Sequence, residues 1–436
     1  MMICQEKETK NYRFLSVIFG LILGTYWLLR PIKDAVFLTM VGENYQPKAK
    51  MISLFVVGAL VLLYSKLVDK YPRHKLLYGF ALFYTTAMLV FAFFIWHPTI
   101  GVSNKIASSD RILGWAWYMF VESFGSIMVA LFWSFVSEIT TPEVAKRQYF
   151  TVAFGGQLGG FIAPVMAQQM TRLYGTAPTL IIPVVALLAM VGMVMYYVRH
   201  LSEYDTGSRF AGDQTRQPIE GKPRTGFWEG IRLLFSRPYL FGIFIIVAFY
   251  EIVVTILDYH FKVLAKVSYP SASLLEDYLY TYAMWTNGVA LICLFFGVGE
   301  VGRRLGLTRT LLLLPILVAC AVLTFNFYPS LIVAFTIMVS CKGLNYALIQ
   351  PSKEQLYIPT STESKYKAKA WIDMFGSRSA KGMGAAINDF KGVMGNEFFM
   401  VMTASISMGL IGVWIVAAII IGRIHKQALK ENRLIC

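Results

Sequence analysis

The sequence has 436 residues, 56% of them apolar and 15% charged, with a formal net charge of +15. Apolar runs of the roughly 20 residues needed to cross a bilayer recur from end to end, which excludes a string of soluble domains. Most of the excess Lys and Arg lies in short connections between those runs, the pattern of topology control and not of a nucleic-acid-binding face.

Twelve spans are predicted, beginning near Phe14, Met51, Leu76, Ile112, Tyr149, Pro178, Tyr239, Asp277, Arg309, Ser330, Lys369 and Phe398. The fold class is therefore all-α, a polytopic membrane protein with twelve transmembrane helices. "MMICQEKETKNYR" ahead of the first span has no signal-peptide pattern, so that span is expected to serve as its own insertion signal. Alternate loops differ in basicity. One set carries Lys66, Lys70, Arg73 and Lys75, then Lys146 and Arg147, then Arg303, Arg304 and Arg309, then Lys353, Lys365, Lys367 and Lys369. The other set is poorer, with Lys48 and Lys50, Lys105 and Arg111, Arg172, Lys262 and Lys266, and Lys391. The positive-inside rule then puts both termini in the cytoplasm. Cys4, Cys293, Cys320, Cys341 and Cys436 show neither disulfide nor metal spacing.

The longest polar stretch falls between spans six and seven. It divides the chain into an N-terminal six-helix bundle over 1–201, a cytoplasmic loop over 202–237 and a C-terminal six-helix bundle over 238–436. "LVDKYPRHKLL" after span two and "VGEVGRRLGLTRT" after span eight echo each other as short basic turns. Two six-helix halves around a central cavity is the plan of major facilitator carriers.

Charges inside the spans are the informative ones, because each is expensive in lipid. "LLRPIKDAVFL" puts Arg30, Lys33 and Asp34 at i, i+3 and i+4, on one helix face, beside Pro31. Lys33 is roughly 28 Å from Phe14 in a span of about 42 Å, so its face must meet protein or a wet cavity. Glu122 in span four lies at nearly the same depth. In the second half Asp258 matches the depth of Lys33, Glu251 sits one heptad earlier, and Lys342 and Lys381 add cations near mid-membrane. Such charges can pair as structural ion pairs, and Asp34 with Arg30 is the plainest case. As a set at shared depth they argue for an ionic cargo, and cations call for anionic groups such as phosphates.

Other motifs carry less. Tyr278, Tyr282 and Trp285 share a helical face in span eight and are candidates to stack on a base, although most aromatics in such a chain are core or interface residues. "GGQLGG" over 155–160 lies in a helix, so close helix packing explains it better than a phosphate loop does. No Walker lysine, metal-ligand cluster or nucleophile elbow is present, and neither a cofactor nor a metal site is expected. An enzyme acting on lipid-linked substrates would cluster carboxylates for Mg²⁺, and Glu122, Glu251 and Asp258 are too separated for that. The chain reads as a carrier, not an enzyme.

Four stretches resemble the nucleotide transporter family, the ATP/ADP translocases of obligate intracellular bacteria and plastids. They are "LLRPIKDAVFLT", "VESFGSIMVALFWSFVSEITTPEVAKRQY", "ILDYHFKVLAKVSYP" and "PSKEQLYIPTSTESKYKAKAWIDMFGSRSAKGMG". The resemblance implies a carrier in a bacterial cell membrane that exchanges ATP for ADP. It implies phosphate binding by Lys33 and Lys381, helped by Arg30 and Arg378, with Glu122 and Asp258 compensating those charges. The family usually has glutamate where this chain has Asp258. The alternative is a proton-coupled or facilitative carrier of another nucleotide, NAD or another organic anion.

Overall fold

The structure is a computed structural model and describes residues 2–140, 142–201, 234–295, 306–346, 350–357, 359–360 and 371–431, together with 232, 369 and 435. Most of the predicted 202–237 loop, Arg303, Arg304, Lys365 and Lys367 lie outside the described residues. Described residues form helices and no strand.

In chain order the helices are α1 (Met2–Met40), α2 (Gln46–Lys70), α3 (Arg73–Trp96), α4 (Ile112–Ile139), α5 (Pro142–Tyr174), the single turn α6 (Thr176–Thr179) and α7 (Ile181–Tyr196). They continue with α8 (Pro238–Ser268), α9 (Ala272–Phe295), α10 (Leu307–Phe327), α11 (Leu331–Leu344), α12 (Gln350–Leu356), α13 (Ser377–Asp389) and α14 (Asn396–Lys430). Among the described residues nine helical stretches are long and apolar enough to cross a membrane, and Leu331–Leu344 is a shorter apolar helix. Hydropathy locates the helices but trims their ends. α2 starts at Gln46 and α5 at Pro142, ahead of the predicted Met51 and Tyr149, because polar residues there are still helical.

Helix ends follow local chemistry. Ser330 caps α11 by accepting a hydrogen bond from the Val333 backbone N–H at 3.3 Å. Gly42 after α1 and Gly175 between α5 and α6 have φ of 108° and 83°, a left-handed backbone that glycine adopts without strain.

The chain forms two compact units. One takes the described parts of Met1–Glu43, Phe55–Gly221 and Ser268–Asn287, the other those of Asn44–Leu54, Lys222–Val267 and Gly288–Cys436. The boundaries run through α2 and α9. In the first unit α1 has α5 as its most extensive partner. The "GGQLGG" segment makes that packing possible. A Cβ on Gly155 would fall inside Ser16, and one on Gly159 inside the backbone of Gly20. A Cβ on Gly24 would in turn meet Gly159 O at 3.0 Å and Ala163 Cβ at 3.1 Å. Small residues thus line both helices of a close crossing, and the Ser16 hydroxyl donates to Thr151 O across it at 2.8 Å. In the second unit Ala248, Ile252, Ile256 and Ala380 make a buried apolar cluster that joins α8 to α13.

Candidate functional site

The first unit holds Lys33 almost wholly enclosed, with 3% of its surface exposed. Its ammonium donates to Glu122 Oε1 on α4 and lies 3.6 Å from Asp34 Oδ1 on its own helix. It also sits 4.3 Å from the centre of the Tyr118 ring, one turn before Glu122 on α4. Phe37 braces that ring edge-on, at 5.1 Å between centroids. Glu122 keeps a third of its side chain exposed, so one member of the pair is reachable from outside. Arg30 points its guanidinium at aromatic faces, 5.0 Å from the Trp27 ring centre and 5.7 Å from that of Tyr26. Tyr26 can lie against α4 only because residue 125 is glycine, since a Cβ there would overlap the ring.

The second unit gathers two further clusters. On α13, Lys381 Nζ is 3.6 Å from Glu251 Oε1 of α8, and the Ser377 hydroxyl donates to the same oxygen at 3.0 Å. Gly384 brings the helices together, because a Cβ there would meet Ile252 O at 2.8 Å. Lys381 has 45% of its side chain exposed, in sharp contrast to Lys33. Arg378, three residues before Lys381 on the same helix, is half-buried.

The other cluster centres on Asp258, 5% exposed. Lys262 Nζ lies 2.6 Å from Oδ2, Lys342 Nζ donates to Oδ1 at 2.9 Å, and Lys50 Nζ is 3.9 Å from Oδ2. A small cavity adjoins it, lined by Gln46, Lys50, Thr255, Asp258, Tyr259 and Asn388. Two of these lysines correct the sequence reading, which counted Lys50 and Lys262 among loop cations. Lys50 is inside α2, and Lys262 is inside α8 and 5% exposed. The i, i+4 spacing of Asp258 and Lys262 is a signal that could have revealed one of them.

The structure thus joins Lys33 to Glu122, Lys381 to Glu251 and Lys342 to Asp258. The aromatic trio on α9 is dispersed, because Tyr282 is buried at 6% exposure while Trp285 is 57% exposed. Tyr278 stacks instead on Tyr269, 4.8 Å between centroids.

Long apolar helices that carry ion pairs in their interiors are the build of a multi-pass membrane carrier. Solved structures show the same fold. The chain superposes on the nucleoside transporter NupG with a TM-score of 0.62 at 10% identity, covering 94% of this chain and 98% of that one. A bacterial homologue of the iron transporter ferroportin, in its inward-facing state, gives 0.64 at 12% identity, with 96% and 99% covered. The chain shares its overall fold with both of these structures. The family model described as TLC ATP/ADP transporter matches residues 2–334 and 327–425, and the chain belongs to that family. Among its relatives, "ADP,ATP carrier protein 1" of Chlamydia muridarum (strain MoPn / Nigg) is 26% identical, covering 98% of this chain and 91% of the relative. "ADP,ATP carrier protein 3" of Rickettsia prowazekii (strain Madrid E) is 23% identical over 88% and 87%. The chain is a multi-pass integral membrane protein of a transporter family.

Proposed function

We propose that the protein is a carrier, not an enzyme, that exchanges ATP for ADP across the membrane by alternating access. Lys33 and Lys381 hold the phosphates, with Arg30 and Arg378 beside them, and Glu122 and Asp258 compensate cationic charge between cargo-bound states. Lys342 and Lys262 extend the set in the second half, with Lys50 at its edge. The proposal includes the twelve-span plan, with six-helix halves over 1–201 and 238–436, a cytoplasmic loop over 202–237 and both termini cytoplasmic.

The observation that carries the reading is the pairing of Lys33 with Glu122. A phosphate oxygen and a carboxylate oxygen compete for one ammonium, so cargo binding weakens the ion pair and cargo release restores it. A ligand can shift a conformational equilibrium only by interacting differently with the two states, and this competition supplies such a difference. Exchange then follows when reorientation is fast only with the charges compensated.

The test is transport by the full chain in proteoliposomes. With ADP inside, labelled ATP added outside is expected to accumulate, and empty vesicles are expected to take up almost none. Uptake into empty vesicles driven by a proton gradient would overturn exchange in favour of symport. No nucleotide uptake in any mode would overturn the nucleotide reading itself.

A further inference from the structure

Outside the clusters described above, and among the described residues of the first unit, Glu276 is a buried carboxyl with no cation paired to it. Glu276, in the second turn of α9, has none of its surface exposed. Its Oε1 is 2.7 Å from Thr171 Oγ1 of α5 and accepts from the Tyr280 hydroxyl at 3.0 Å. Thr171 Oγ1 is 2.8 Å from Thr179 Oγ1 of α6, and the Thr179 hydroxyl donates to Gly175 O at 2.9 Å. The Thr176 hydroxyl lies against the carboxyl from α6. Neither it nor Glu276 Oε2 makes a well-formed hydrogen bond, and both atoms are buried.

The charged groups that face this pocket neutralise each other. Asp277 on α9 binds Arg172 on α5 in a two-pronged pair, at 2.6 and 3.2 Å. Gln168 of α5 completes that contact by donating to Asp277 O at 3.1 Å and Thr281 Oγ1 at 2.8 Å. Tyr280 is the remaining titratable group at the carboxyl, and α6 contributes only threonines.

The hydrogen-bond chain is fully supplied with protons when the carboxyl is neutral. The chain Glu276 Oε1, Thr171 Oγ1, Thr179 Oγ1, Gly175 O has three links, and the two threonine hydroxyls supply one proton each. With an ionised carboxyl Thr171 donates to Glu276, and the Thr179 hydroxyl is shared between Thr171 and Gly175 O; a proton on Glu276 lets it donate to Thr171 instead, so that each link has its own proton. Ionised, the carboxyl would also place an uncompensated charge in a dry pocket. We propose that Glu276 is a proton-binding site, which ties α9 to α5 and α6 while it is protonated and releases its proton when that joint opens to water. The inference goes beyond the cargo reading, and its test needs no nucleotide.

The test is infrared spectroscopy of the full chain in lipid, comparing wild type with Glu276→Gln near neutral pH. The amide is neutral and close in size, so the variant should fold. The expected result is a neutral carboxylic-acid band in the wild type that is lost in the variant. Hydrogen exchange in 168–180 and 272–282, corrected for the intrinsic pH dependence of exchange, should rise with pH in the wild type and stay flat in the variant. Where Glu276→Gln fails to accumulate, Glu276→Asp withdraws the acid from Thr171, and the band should shift or vanish. An acid band identical in the wild type and the variant measured, or equal pH dependence of exchange in both, overturns the proposal.

Discussion

Two of the three ion-pair clusters of the candidate site, those of Lys33 and Asp258, are opposite in make-up. Around Lys33 one cation is shared by two carboxylates, Glu122 and Asp34, in a pocket that also offers the face of Tyr118. Around Asp258 one carboxylate is shared by three cations, Lys262, Lys342 and Lys50. In the first, Lys33 is the ammonium that both acids share. The second carries a surplus of positive charge that a polyanion is suited to complete. One fold therefore offers an anion a single contested ammonium in one unit and a cationic cluster in the other.

That contrast can be broken first at Lys33. Lys33→Met removes the ammonium that Glu122 and Asp34 share, and losing one partner of a buried pair typically costs about 3–5 kcal/mol. Thermal melting in detergent should show the loss whether or not nucleotide is present, and exchange should cease. Asp258→Asn should destabilise by a similar amount, since Lys262 and Lys342 bind different oxygens of Asp258 and the amide has one oxygen to offer, its NH₂ facing the other lysine. Here added ADP should restore much of the melting temperature, because its phosphates replace the missing negative charge. The absence of any ADP rescue would remove the distinction between the clusters. Lys381→Gln should have the smallest effect on stability, about 1 kcal/mol, because Lys381 is 45% exposed and its ion pair with Glu251 is long at 3.6 Å. Its exchange rate in proteoliposomes should nevertheless fall sharply, which would separate a cargo contact from a structural one.

Much of this was legible in the sequence. Helix positions follow from apolar run length, and the pairing of Lys33 with Glu122 was foreshadowed by their matching depth. Depth and helical face are one-dimensional properties, though, and they do not say which neighbour a side chain meets. Lys50 was hidden because hydropathy starts a helix at its apolar part, whereas α2 begins earlier and buries polar residues such as Gln46 in protein. Lys262 was hidden for the same reason at the other end of α8. Glu276 and Asp277 are adjacent and chemically alike, yet one lies in a cage of hydroxyls and the other against Arg172. Only the packing of α5 and α6 on α9 separates their roles. The aromatic trio on α9 shows the converse error, in which correct helical spacing suggested a shared surface that burial divides.

The glycine seam between α1 and α5 has a mechanical corollary. Ser16 faces Gly155, Gly20 faces Gly159 and Gly24 faces Ala163, a constant step that makes the helices run side by side in the same direction. Close-packed backbones of this kind resist sliding and twisting. Over residues 16–24 and 155–163, therefore, neither helix can slide past the other without backbone running into backbone.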